Sequence, residues 1–133
     1  MEDFTSLSQQ LTELARLVEI AERPSRDLDR LIWQTVDPAS ASIPGGVPPF
    51  FTDDPHASKL LLPDSALMAT SKRDGSGFLS TVIMQTGNGQ ATIEAHHRHR
   101  FLAACLAALR ARAASLEDRE PAADPHPKPL IRR

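Results

Sequence analysis

Asn88-Gly89 restricts the fold of this 133-residue chain more than any other feature. The pair lies between Phe78–Gln85 and Ala91–Ala95, and Asn-Gly flanked by two such runs specifies a tight antiparallel hairpin. Phe78–Gln85 holds Thr81, Val82 and Ile83, whose branched side chains favour a pleated strand. Its two faces, Phe78/Val82/Met84 and Leu79/Thr81/Ile83, both carry apolar residues, which predicts cover on each side. Ala66–Ser71 reads as a third strand, joined to the hairpin through 72–77, where Gly75 and Gly77 permit a turn. The expectation is a three-stranded antiparallel meander.

Helical patterns flank it. After Thr5 or Ser6 as N-cap, Leu7, Leu11, Leu14, Val18 and Ala21 recur at helical spacing, with Leu17 widening the stripe. Pro24 stops this helix near Glu22. Ser25 caps a second helix, with Asp27 and Asp29 in the first turns where the helix dipole favours negative charge. Leu28, Leu31, Ile32 and Thr35 form its apolar face, Trp33 is placed to cover the adjoining loop, and Asp37-Pro38 ends it. Pro44-Gly45-Gly46 and Pro48-Pro49 make 39–50 a loop. Asp54-Pro55 opens a short helix through Leu61, closed by Pro63.

The last helix is expected over His97–Ser115. Leu102, Cys105, Leu106, Leu109 and Ala113 form its inward stripe. Arg100, Ala103, Ala107, Arg110 and Ala114 form a second, small and basic face, on which a close neighbour fits, including another copy of the chain. The fold class is therefore α+β, with helices on both faces of the sheet. Residues 1–116 form one domain, and 117–133, with Pro121, Pro125, Pro127 and Pro129, form a mobile polar tail.

The net charge of -2 argues against a dedicated nucleic-acid binder. Residues 1–95 carry seven Lys or Arg against thirteen Asp or Glu, and 96–133 carry eight against four, an asymmetry that fits either a polarised surface or a solvated helix and charged tail. One cysteine excludes an internal disulfide framework. Acidic Met1-Glu2-Asp3 with no long apolar run after it gives no signal peptide, and no stretch is long enough to cross a bilayer.

Few residues offer chemistry. In His96-His97-Arg98-His99, only His96 and His99 have a spacing that shares a helix face, and no partner in a known zinc spacing accompanies them, so no metal is expected. As an anion site the cluster is better: His96, Arg98, His99 and Arg100 add charge to a helix N-terminus with free N–H groups. Cys105 sits in the apolar stripe and reads as a small hydrophobe rather than a nucleophile. Gly75-Ser76-Gly77 and Gly87-Asn88-Gly89 lie between strands, where a phosphate-cradling loop would lead into a helix. No cofactor site is expected, and no aromatic platform for bases occurs in a chain without tyrosine.

Three segments resemble a family of small phage-encoded proteins with an α–β–α (ABA) sandwich domain. Arg23-Pro24-Ser25-Arg26-Asp27-Leu28-Asp29 is similar to the family's junction between its first two helices, with Arg23 where glycine is usual. Phe51-Thr52 and Leu60-Leu61-Leu62-Pro63 are similar to its Tyr-Thr pair and the short helix ending in proline. Phe101–Ala113, through Cys105, Leu106 and Leu109, is a counterpart of its closing helix. Asp64–Met68 lacks the tryptophan common there. The resemblance spans residues 11–115 and implies a phage or prophage setting in a bacterial cytoplasm; it carries over no catalytic residue. The function expected is a non-enzymatic accessory protein that binds a host protein or a small anionic ligand, with counter-defence as the sharper form. The alternatives are a virion or assembly component that forms a homo-oligomer, and a small nucleotide-acting enzyme.

Overall fold

Helix starts follow from side chains that satisfy free backbone N–H groups. In this computed structural model, which describes residues 6–119, Ser6 opens α1 (Leu7–Ile20) with a reciprocal cap. Its hydroxyl accepts from Gln9 N at 3.2 Å, and Gln9 Oε1 accepts from Ser6 N at 3.1 Å. Ser25 Oγ accepts from Leu28 N at 3.2 Å and opens α2 (Arg26–Val36). The loop expected over 39–50 begins with one helical turn, α3 (Pro38–Ala41), because Asp37 caps it and Pro38 fits its first position. Trp33 does cover that loop: a Cβ on Gly46 would stand 2.9 Å from its ring. Asp54 caps α4 (Pro55–Ser58), and a 3-10 turn follows over Lys59–Leu61.

The sheet is β1 (Ala66–Asp74), β2 (Gly77–Thr86) and β3 (Gly89–His97), antiparallel in the order β1-β2-β3. All three are longer than expected. The hairpin turn is Gly87-Asn88, one residue earlier than the Asn-Gly signal indicated; Gly89, already paired with Thr86, takes the positive φ of 134°. The closing helix is α5 (Arg100–Arg119), so 117–119 are helical. The remainder of the expected proline-rich tail lies outside the described residues. No helix among the described residues is long and apolar enough to cross a membrane.

The α+β class and the meander are those the sequence indicated, and the layers run sheet, α5, α1. α5 packs on the face of β2 that buries Ser80, Val82 and Met84, and α1 packs mainly on α5. Leu79, Thr81 and Ile83 on the opposite face stay half-exposed. Cover on both faces of the sheet, expected from their apolar content, is replaced by a helix covered on both of its own sides. The stripe Leu102, Cys105, Leu106, Leu109 and Ala113 is buried, and so are Ala103, Ala107, Ala108 and Ala111. In α1 the buried face is Leu11, Leu14, Ala15 and Val18, while Leu7 and Leu17, assigned to the stripe, are 38% and 40% exposed.

One polar knot lies inside this apolar frame. Asp29, completely buried, accepts from Thr52 N at 2.9 Å and Thr52 Oγ1 at 2.8 Å through one oxygen, and from Arg26 Nη1 at 2.6 Å through the other. Arg26 also donates to Pro48 O at 2.7 Å and lies 3.6 Å over the Phe50 ring. Two of the stretches that carried the family resemblance, 23–29 and 51–52, are thus bonded to each other. Removing the buried carboxylate leaves Thr52 N–H without its acceptor and frees the half-exposed Arg26, so Asp29→Ala should cost about 2 kcal/mol in urea unfolding. A loss below about 1 kcal/mol would show that the knot does not hold the 48–52 loop.

Candidate functional site

The strand alternation of β3 separates the histidines. His96 and His97 are its last residues rather than the start of the helix, so they point to opposite faces. His96 is exposed, with Nε2 3.3 Å from Asp74 O and 3.6 Å from Asp74 Oδ2. The helix face that His96 and His99 were to share does not exist. Among the described residues, no group of three or more His, Cys, Asp or Glu is placed to hold a metal ion.

His97 turns inward and is buried. His99 N donates to His97 Nδ1 at 2.8 Å, which places the His97 proton on Nε2, where it is donated to Ala21 O at 2.9 Å. Burial is the main cause that holds its pKa below the ordinary histidine value of 6.5, against the hydrogen bond to Ala21, which raises it. His99 caps α5: its Nδ1 accepts from Phe101 N at 3.3 Å, and its carbonyl accepts from Ala103 N at 3.0 Å. His99 N and Phe101 N, donors that an anion at this helix terminus would need, are therefore already bonded to imidazoles.

The four residues expected to form an anion site fall in two places. His96, Arg98 and His99 border a cleft of about 680 Å³ beside the end of α1, together with Glu19 and Glu22. Its charge is mixed. Arg100 points elsewhere, into a groove of about 260 Å³ between the sheet and α5. One wall is β1 and β2, the other is α4 with the 3-10 turn, and Ala104, Ala107 and Ala108 form the floor. Lys59 joins Arg100 there, and among the described residues no Asp or Glu lines the groove. Neither cation has an ion-pair partner among the described residues. Ser71 Oγ and Ser80 Oγ, on the sheet wall, lie 2.7 Å apart. One of their two protons serves that bond, and the other is left to donate.

The remaining candidates are structural. Ala103 and Ala107 are 0% and 1% exposed, and Ala114 is partly buried against the core, so the chain itself packs against much of this face. Arg110 donates to Glu94 O at 3.1 Å and lies 3.4 Å from Glu19, tying β3 to α1. Cys105 is buried beside Asp29, and burial pushes its thiol far up, so it holds its proton. Lys59, Ser71 and Ser80 were missed because each looks ordinary within its own segment. Comparison with family models, with curated proteins and with solved structures finds no match.

Two tests follow at the β3–α5 junction. The unfolded chain protonates His97 near 6.5 and the folded chain only at lower pH, so its contribution is complete above 6.5 and is lost as pH falls through the folded value. Urea midpoints taken from pH 8 to pH 5 should fall more steeply for the wild type than for His97→Gln; parallel curves would show that His97 does not titrate with unfolding. At Gly77 a Cβ would stand 2.8 Å from the carbonyl oxygen of His97 and 2.9 Å from the His96 ring. Gly77→Ala should cost about 1–3 kcal/mol, because backbone must move; an unchanged urea midpoint would contradict that close approach.

Proposed function

We propose that this protein works by binding, and that its site is the groove between the sheet and α5, where Arg100 and Lys59 receive an anionic group. The observation that carries the reading is that, among the described residues, no acid lines a groove that holds two cations without an ion-pair partner. Desolvating a cation costs free energy that an anionic ligand offsets, and the spare Ser71/Ser80 proton adds a directed donor. The floor of alanines leaves room for an apolar body behind the charge.

The resemblance to the phage ABA sandwich family supports an accessory role in a phage or prophage setting. Counter-defence, by sequestering a nucleotide signal or by blocking a host protein, is the form of that role compatible with an anion-accepting groove. The bacterial cytoplasm is the compartment that goes with it. The rival reading, assembly through the alanine face of α5, loses support because Ala103 and Ala107 are inside the protomer.

The test is native mass spectrometry of protein purified from producing cells, wild type beside the double variant K59E/R100E. Wild type is expected to carry a released anionic compound or a stoichiometric partner that the variant lacks, with the circular dichroism spectra of the two unchanged. Equal retention by both proteins, or a bare wild-type chain, would count against the groove as the site.

A further inference from the structure

We propose that the occupant of this groove is an extended segment of a partner protein, which adds to the free edge of β1 as a fourth strand and sets a carboxylate against Arg100 and Lys59. The inference rests on the groove being the binding site, and it names the partner's chemistry. β1 is an edge strand of the order β1-β2-β3, and every residue from Leu67 to Asp74 is exposed. An edge strand leaves alternate N–H and C=O groups without a strand partner, and proteins commonly guard such edges with charge, proline or bulges.

Here the guards stand at the ends only. A register irregularity between Ala66 and Met68 disrupts the start of β1, and Lys72, Arg73 and Asp74 charge its end. The neutral window Met68-Ala69-Thr70-Ser71 between them is bare, and Ala69, Thr70 and Ser71 line the groove. Four residues of strand span about 13 Å. A segment paired there would send alternate side chains toward the floor, where Ala104, Ala107 and Ala108 leave space for small or branched apolar groups.

The other edge lacks these properties. Arg110 donates to the Glu94 carbonyl of β3 at 3.1 Å, so a side chain of the protein already engages the backbone of that strand. Charge decides what the added segment carries. With Arg100 and Lys59 at the groove and no acid lining it among the described residues, a carboxylate is matched and a basic peptide is repelled. That carboxylate is either a chain terminus or an Asp or Glu side chain.

The experiment is selection from a random octapeptide library with free carboxyl ends, run in parallel on the full chain and on K59E/R100E. Enriched peptides should alternate small or branched apolar residues, carry a carboxylate, and fail to enrich on the variant. A synthetic enriched peptide should shift the amide resonances of Met68–Ser71 and slow their hydrogen exchange. N-methylation at one of its two alternating sets of amides should weaken binding at least tenfold. Amidating the terminus should do the same where a terminal carboxylate is used, and replacing Asp or Glu should do so where a side chain is used. Enriched peptides that tolerate N-methylation at both sets, or that shift other residues, would overturn the inference. If no peptide enriches but inorganic phosphate or a mononucleotide shifts the resonances of Lys59 and Arg100, strand addition is wrong and the groove remains the site. If neither probe perturbs the groove, both readings fall.

Discussion

The packing of α5 between the sheet and α1 is the constraint on which the rest of the molecule depends. A helix covered on both sides cannot carry large side chains all round, because its neighbours would be held too far apart to pack at interior density. Ala103, Ala107, Ala108 and Ala111 meet this demand, while Leu102, Leu106 and Leu109 supply the apolar area. The same small residues create the groove. Ala104, Ala107 and Ala108 line it opposite Ala69, Thr70 and Ser71 of β1, and their short side chains leave the space beside the sheet edge unfilled. Core packing and the candidate site are therefore consequences of one compositional choice in one helix.

Around that helix, polar groups act as ties between segments distant in sequence. Asp29 joins α2 to Thr52, Arg26 joins it to Pro48, and Asp118 Oδ2 accepts from Gly87 N at 3.1 Å, holding the hairpin turn to the end of α5. His97 connects the end of α1 to the β3–α5 junction through Ala21 and His99. The Asp29–Thr52 tie pairs buried donors and acceptors, which low polarity makes obligatory. The histidine cluster belongs to this class. The imidazoles of His97 and His99 spend their acceptor nitrogens on backbone N–H groups of the chain, and these two N–H donors that made it look like an anion site are consumed in building the junction.

Much of the fold was legible because local chemistry decided it. Ser6, Ser25 and Asp54 cap helices where they were expected to, and the run of branched residues in β2 with a turn after it specified the meander. What was not legible required partners far along the chain. Asp29 looked like a helix-dipole residue, and only Thr52, 23 positions away, makes it a buried hub. Leu79, Thr81 and Ile83 looked like a second buried face, yet no helix was left to cover them once α1 had packed on α5. The placement of His97 did have a signal. Ile93, Ala95 and His97 keep the strand's alternation, which extends β3 to the residue where a helix was assumed to begin. The groove had none, because Lys59, Ser71, Ser80 and Arg100 come from four separate elements.

Comparison of the two openings shows why local charge is a better guide to recognition than residue type. Histidine and arginine draw attention in 96–99, but Glu19 and Glu22 face the same cleft, and an anion entering it gains from one wall what it loses to the other. Among the described residues the groove is lined by two cations and by no opposing charge. Its apolar floor lowers the local polarity, which strengthens each charge–charge interaction that forms above it. The adjoining strand contributes backbone groups without a strand partner, a kind of recognition that does not depend on side chains at all. An occupant that satisfies both must be anionic at one point and extended along β1, and that pair of demands separates a peptide from a compact metabolite by shape as well as by charge.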